Sequence, residues 1–386
     1  MTGEKRSRRV ARSAAPVLVL FSALLFVAPG AWPRLLTPGS NVLTGSTAIG
    51  RFNHTATLLG NGKVLVAGGM ARNGVWLKSA EIFDPARGEF QAVGEMHDAR
   101  AGAVAVLLPN GKVLIAGGAT GGGRNLAAAE LFDPAANRFV STGNMITPRT
   151  AACATLLQNG KVLIVGGSAR GDDEPLKSAE LYDPTTGTFA PTGSMHVARS
   201  YFAGVQLRDG HFLVMGGISG GRLPDPTIDA SAEIYDPASG HFSSAGAMGV
   251  ARYKHGATLL SDGRALIVGG QTGGAYGARL ASTEIYDPVK GAFSPGPEMK
   301  VKRFKLHDGV VALPGGQVLV AGGADQLEVY DAASGQISLV PGERLDGFLF
   351  STATLLHDNR VLLVNGYAAA PAPPSRHAWI YQAYSN

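Results

Sequence analysis

Cysteine is almost absent from this chain of 386 residues: Cys153 stands alone, so no disulfide can form within the chain in any redox compartment. Charge is sparse as well. Asp, Glu, Lys and Arg make up 16% of the residues and the net charge is +5. Of that excess, +4 sits within residues 1–31, where Lys5, Arg6, Arg8, Arg9 and Arg12 face only Glu4. The remaining body is close to neutral, which argues against a nucleic-acid partner. The apolar run Ala14–Ala28 is short for a free membrane span. Behind a basic stretch and ahead of Gly30 and Ala31, it reads as the core of a signal segment, with an uncleaved anchor as the alternative. Residues 1–31 are therefore expected to direct export, leaving the mature chain periplasmic, extracellular or tethered by its N-terminus, with residues 32–40 as a linker. No H-E-x-x-H, P-loop or repeated Ser-x-Asp-x-Gly appears, and the Gly-rich "GGMARNG" and "GGATGGG" open no helix that could cradle a phosphate.

What is abundant is glycine, 53 residues of it, and it recurs in register. NGKVLVAGG at 61–69 returns as NGKVLIAGG at 110–118 and NGKVLIVGG at 159–167. A unit is copied in this way when it cannot bury its own apolar faces and needs a neighbour on each side. Six units superpose. Each opens with an apolar segment such as HTATLL, followed by Asn-Gly, Asp-Gly or Gly-Gly, a signal for a two-residue type I′ hairpin turn. The next strand, KVLVAGG and its variants, is apolar without alternation, so both of its faces should be buried. It closes on a glycine pair whose missing Cβ atoms let neighbouring backbone approach. A variable loop leads to a third strand, SAEIFDP and its variants, stopped by Asp-Pro in all but the last of the six. A turn glycine or asparagine and a fourth strand opening with Phe90, Phe139, Phe189, Phe242, Phe293 or Ile337 complete the unit. The first glycine of each pair falls at 68, 117, 166, 216, 269 and 322, a spacing of about fifty residues that suits a four-stranded propeller blade.

These residues resemble the kelch repeat: a Gly-Gly closing one strand, an aromatic-Asp-Pro ending the next, an aromatic opening the last. The resemblance covers roughly residues 41–386 and implies an all-β, seven-bladed propeller. It departs from the family in carrying Phe where Trp is usual. A seventh unit, STATLL to AWIYQ, lacks a fourth strand, and Asn41–Arg51 (NVLTGSTAIGR) matches the spacing of the fourth strands elsewhere. The N-terminal strand is thus expected to complete the last blade, with Asn41 the weak point in the aromatic slot.

Because the strands of a blade alternate in direction, the variable loops and the blade-to-blade crossings share one face, and the fixed turns share the other. Recognition is expected on the variable face. Arg51, Arg100, Arg149, Arg199, Arg252 and Arg303 precede the first strands there. They read either as partners of the repeated glutamates or as a cationic rim for carboxylate or phosphate. Residues that break the repeat are the stronger binding candidates: His54, His255, Tyr253, Tyr201, Lys254 and His307 near the channel entrance, His97 and His196 beside the arginines, and Trp76, Arg124, Asp172, Asp173, Arg222, Asp225 and Tyr276 in the loops. Copper-radical sugar oxidases share this scaffold and need a Cys–Tyr crosslink with Tyr and His ligands. The available parts would be Cys153, Tyr201 or Tyr253, His54 and His255, but Cys153 sits in a strand position filled elsewhere by small residues and reads as a core side chain. The expectation is a monomeric, non-catalytic binding or scaffold protein for a protein or glycan ligand, with no cofactor and no metal. A glycan-active or metal-dependent enzyme at the channel mouth is the alternative.

Overall fold

A computed structural model describes residues 1–2, 37–222, 225–273, 277–306, 308–364, 366–368 and 373–384, with the side chain of Arg222 left out. The N-terminal segment read as a signal or anchor, and the candidates Tyr276 and His307, lie outside the described residues.

Seven four-stranded antiparallel sheets make up the described body. In the first, strands β2 (Thr55–Leu58), β3 (Val64–Ala67), β4 (Ala80–Asp84) and β5 (Glu89–Ala92) pair in sequence order. The innermost strands, Thr55–Leu58, Val104–Leu107, Cys153–Leu156, Ala203–Gln206, Gly256–Leu259, Val310–Ala312 and Thr352–Leu355, each touch the next, and the last touches the first, so the ring is closed. In the seventh sheet the outer strand is β1 (Ser40–Ser46), hydrogen-bonded to His377–Gln382 with Asn41 opposite Tyr381. The chain ends are thus joined within one blade, as the matching spacing of residues 41–51 predicts. Asn41 holds the aromatic slot by polar means. It is 3% exposed, and its Nδ2 donates to the Glu343 carbonyl at 2.9 Å.

The apolar second strand is explained by its two neighbours. Val64 and Val66 pack against the seventh blade, in a cluster with Leu362, Val364 and Ile380. Leu65 and Ala67 pack against the second, with Val113, Ile115 and Phe132. All four are buried, at roughly 1.5–3 kcal/mol for each large side chain. Among the described residues seven such clusters occur, one at each blade-to-blade interface. On the outer strands, each Phe meets the aromatic of the third strand, as in Phe83–Phe90 and Tyr182–Phe189, with ring centroids 4.9 and 4.8 Å apart. Phe therefore fills the slot that Trp occupies in the family resemblance.

The glycine pairs do more than make room. In the first five pairs both members have positive φ, in the sixth only Gly323, and a Cβ on Gly117 would lie 2.4 Å from the Arg149 carbonyl oxygen of the next blade. The partner Gly118 N–H donates to that same carbonyl at 2.9 Å.

The first hairpin differs from the expected type I′ turn. Gly62 has φ +80° but Asn61 is not in the left-handed region. Leu59 N–H donates to the Lys63 carbonyl, and Gly62 N–H to the Leu59 carbonyl. The loop is therefore the three-residue kind with a left-handed glycine at its end. Asn61 is there for its side chain, whose Oδ1 accepts from Lys63 N–H at 3.1 Å.

Candidate functional site

Two faces follow from the antiparallel order, and they are unlike. On the turn face, polar groups are satisfied locally. Asp84 Oδ1 accepts from Ala86 N–H and its Oδ2 pairs with Lys63; Asp133–Lys112 and Asp183–Lys161 repeat the pairing. Hydrogen bonds from Thr185 hold the Asp183 carboxyl down to about 2.

On the loop face, the repeated arginines turn out to be internal. All six are at most 1% exposed. Arg149 Nη1 donates to the carbonyls of Gly166 and Ser178 at 2.7 and 3.0 Å, and Nη2 to Glu180 Oε1 at 2.6 Å. Glu180 also accepts the N–H groups of Ile146 and Thr147, which lead in from the preceding blade. Each pair therefore locks a blade-to-blade crossing. The cationic-rim alternative is corrected: a guanidinium with three internal acceptors and no exposure cannot meet a solute.

Two residues beyond each arginine, the chain turns into the innermost strand with a left-handed residue. Asn53, Gly102, Ala151, Tyr201, Lys254, Lys305 and, in the seventh blade, Phe350 all have φ between +51° and +65°. Most of them form a belt of backbone hydrogen bonds around the channel mouth. Gly102 N–H donates to the Asn53 carbonyl, Ala151 to Gly102, Tyr201 to Ala151, Lys254 to Tyr201, and Phe350 to Lys305, while Asn53 closes onto Phe350. At the sixth blade the Lys254 carbonyl accepts from Leu306 instead. Left-handed φ costs an ordinary residue about 1–2 kcal/mol, so large side chains here are retained against a backbone preference, a pattern that points to use.

Those large side chains lie on four successive blades and converge. Lys254 Nζ stands 4.2 Å from the Tyr201 ring centre, 5.3 Å from Tyr253 and 5.8 Å from Phe350. Lys305 Nζ is 5.0 Å from the centres of Phe304, Phe350 and Tyr367 and is hydrogen-bonded to the Tyr367 hydroxyl. Burial, then the charges of Lys254 and Arg279, push the Lys305 ammonium down to about 8; burial likewise lowers Lys254, with Asp172 opposing. Asp172 reaches in from the third blade's loop, where its Oδ1 accepts the Tyr201 hydroxyl at 2.8 Å. Across the mouth the belt carries Asn53, Gly102 and Ala151. Beside Tyr367 a cavity of about 330 Å³ is lined by Phe52, Arg72, Asn73 and Pro374.

Of the residues singled out in the sequence, Asp172, Tyr201, Tyr253 and Lys254 belong to this cluster. Lys305, Phe350 and Tyr367 were missed; Lys305 lies two residues beyond Arg303, as Tyr201 and Lys254 lie beyond theirs, but the seventh blade has Phe348 in place of an arginine, so Phe350 needs the register of the fold. His54 and His255 sit lower, 4% and 2% exposed. His54 Nε2 meets Thr352 Oγ1 at 3.0 Å, and burial, then Arg51, drive its pKa to about 3, so it stays neutral. His255 lines a cavity of about 170 Å³ in the channel with Cys153 and Asp308. Trp76 is half-buried, bridged to Met70. Arg124 is exposed on a two-residue strand paired with Ala119–Thr120, and Asp173 is half-buried in a turn. His97 and His196 give their backbone N–H groups to Glu130 and Glu233, locking crossings like the arginines. Gly217–Gly221 (GISGG) has the spacing of a hydrolase nucleophile elbow. Ser219, however, lies in the strand Ile218–Arg222 of a loop hairpin, not in a strand-to-helix turn.

The model of the Kelch motif matches residues 51–97, 149–196 and 252–300, the first, third and fifth units. Together with seven four-stranded blades in a closed ring, that decides the architecture. The chain is a seven-bladed β-propeller carrying kelch motifs. No curated protein matches it in sequence. Among solved structures it is similar to a fungal alcohol oxidase of the AA5 family in complex with copper, at 17% identity and a TM-score of 0.69, covering 89% of this chain and 75% of that one. At that identity the likeness is one of fold. The residues that would form a copper-radical site in this propeller do not fit one. Cys153 Sγ donates to the Phe202 carbonyl at 3.5 Å inside the channel wall, and burial pushes its thiol far up. Tyr201 is engaged with Asp172 and His54 with Thr352. Among the described residues no three His, Cys, Asp or Glu side chains come together as a ligand set.

Proposed function

We propose that this kelch propeller is an exported, monomeric, non-catalytic binding module that holds a glycan or protein ligand on its loop face, over the channel mouth. One observation carries the reading: a seven-fold belt whose left-handed positions suit glycine bears Tyr201, Lys254, Lys305 and Phe350 on one side and small residues on the other. Symmetric scaffolding accounts for the arginines and glycines of every blade; it gives no reason for those four. An aromatic-walled, partly polar depression is the usual form of a small-ligand site.

The test is a glycan-array and pull-down screen of the full chain beside a Tyr201→Ala, Phe350→Ala variant. A ligand retained by the parent and lost by the variant, with an unchanged unfolding profile, supports the reading. A ligand equally retained by the variant rejects this face. Stoichiometric copper in the purified protein, with alcohol oxidation, would replace the binding reading by the enzymatic one.

A further inference from the structure

Among the described residues, the two lysines of the channel mouth are held by aromatic rings rather than by ion pairs. Each ammonium stands over three aromatic rings, and both share Phe350, at 5.8 and 5.0 Å from its centre. Arg279, exposed and stacked 4.2 Å over Phe304, adds a third cation to the same side. Among the described residues neither lysine forms an ion pair. The carboxylate acting on Lys254 is Asp172, whose Oδ1 is occupied by the Tyr201 hydroxyl. Everywhere else in the blades, buried positive charge is neutralised: each internal arginine has its glutamate. The ring faces attract each ammonium, but the two like charges repel each other, and an anion beside them relieves that repulsion.

We propose that Lys254 and Lys305 form the subsite for the carboxylate of an acidic sugar, the adjoining sugar rings lying in the cavity beside Tyr367. This rests on the binding-module reading above and names its ligand class. The two ammonium groups, near enough for the charge of Lys254 to act on Lys305, supply the positive charge that a carboxylate would neutralise. The neighbouring cavity of about 330 Å³ offers the rings of Phe52 and Tyr367, 4.8 Å apart and tilted at 61°, with Arg72 and Asn73 at its edge. Aromatic walls with a few polar groups suit a sugar ring, which has apolar faces and a hydroxylated rim.

The experiment is calorimetric titration of the full chain with trimers of galacturonate, mannuronate and guluronate, with neutral galactotriose, and with tri-glutamate. The expected result is binding of at least one uronate trimer, at least tenfold weaker binding of galactotriose and tri-glutamate, and at least a tenfold loss in the Lys254→Met, Lys305→Met variant. That variant should melt no lower than the parent, because it sheds an uncompensated charge pair; retained stability separates lost recognition from lost folding. Lys305→Arg, which keeps the charge, should retain most of the affinity. If galactotriose binds as tightly as the uronates and ignores the lysines, the carboxylate subsite is wrong while the glycan reading stands. Equal or tighter binding of tri-glutamate overturns the sugar assignment. No binding of any saccharide removes both this proposal and the glycan reading.

Discussion

At the scale of the residue, the molecule separates charges that hold it together from charges that strain it. Arg149 is the first kind. Removing it would leave Glu180 buried with only two backbone N–H partners, so Arg149→Met should cost about 3–5 kcal/mol, read as a lower urea midpoint at unchanged slope. Lys305 is the second kind. Its ammonium, facing Lys254, Arg279 and the Tyr367 hydroxyl, titrates near 8 in the folded chain against 10.5 for the free side chain. The unfolded chain thus binds the extra proton between those values, and stability should rise with pH through that window. Lys305→Met should stabilise the fold at pH 7 and flatten the rise, as urea melts at pH 7 and pH 10 would show. A melt that is lower for Lys305→Met at pH 7 would mean the lysine is structural. The pairing of arginine with glutamate was one of two readings open in the sequence; burial decides between them, and burial is not written in a single repeat.

Elements here are specified by glycine and by the neighbour. The strand Val113–Ala116 and its terminal Gly117-Gly118 illustrate both: four buried residues face two different blades, and the glycines admit the next blade's carbonyl. Gly117→Ala combines φ +68° with a 2.4 Å approach to the Arg149 oxygen, and should cost about 2–4 kcal/mol, seen as a large drop in melting temperature. Ala151→Gly is the opposite case. At φ +51° in the belt it should gain roughly 0.5–1 kcal/mol. Strand order, apolar faces and aromatic slots were legible because each arises from local pattern repeated six times. The hairpin type was misread because Asn-Gly also serves a three-residue loop, where the asparagine contributes its side chain and only the glycine its φ. The belt was not legible, because its positions share a backbone angle and no residue type.

For the whole molecule, closure fixes which face can work. β1 supplies the outer strand of the last blade, so the ring that carries the belt depends on residues 40–46 pairing with 377–382. Deleting residues 37–46 should bare the edge of His377–Gln382 and yield a chain that melts far lower or aggregates; an unaltered melt would count against closure. The N-terminal match could be read from the sequence because Thr-Gly-Ser and a terminal arginine keep the spacing of the other fourth strands. The channel-mouth cluster was only half visible: Asp172, Tyr201, Tyr253 and Lys254 stood out as exceptions, while Lys305 and Phe350 needed the register of the fold. The most direct test of the loop face as the working face is amide hydrogen exchange of the full chain with and without a saturating uronate trimer. Added protection should appear at the belt segments 199–202, 252–255, 303–306 and 348–351 and not at the turns 59–63 and 84–88. Protection concentrated at those turns, with the belt unchanged, would contradict the account.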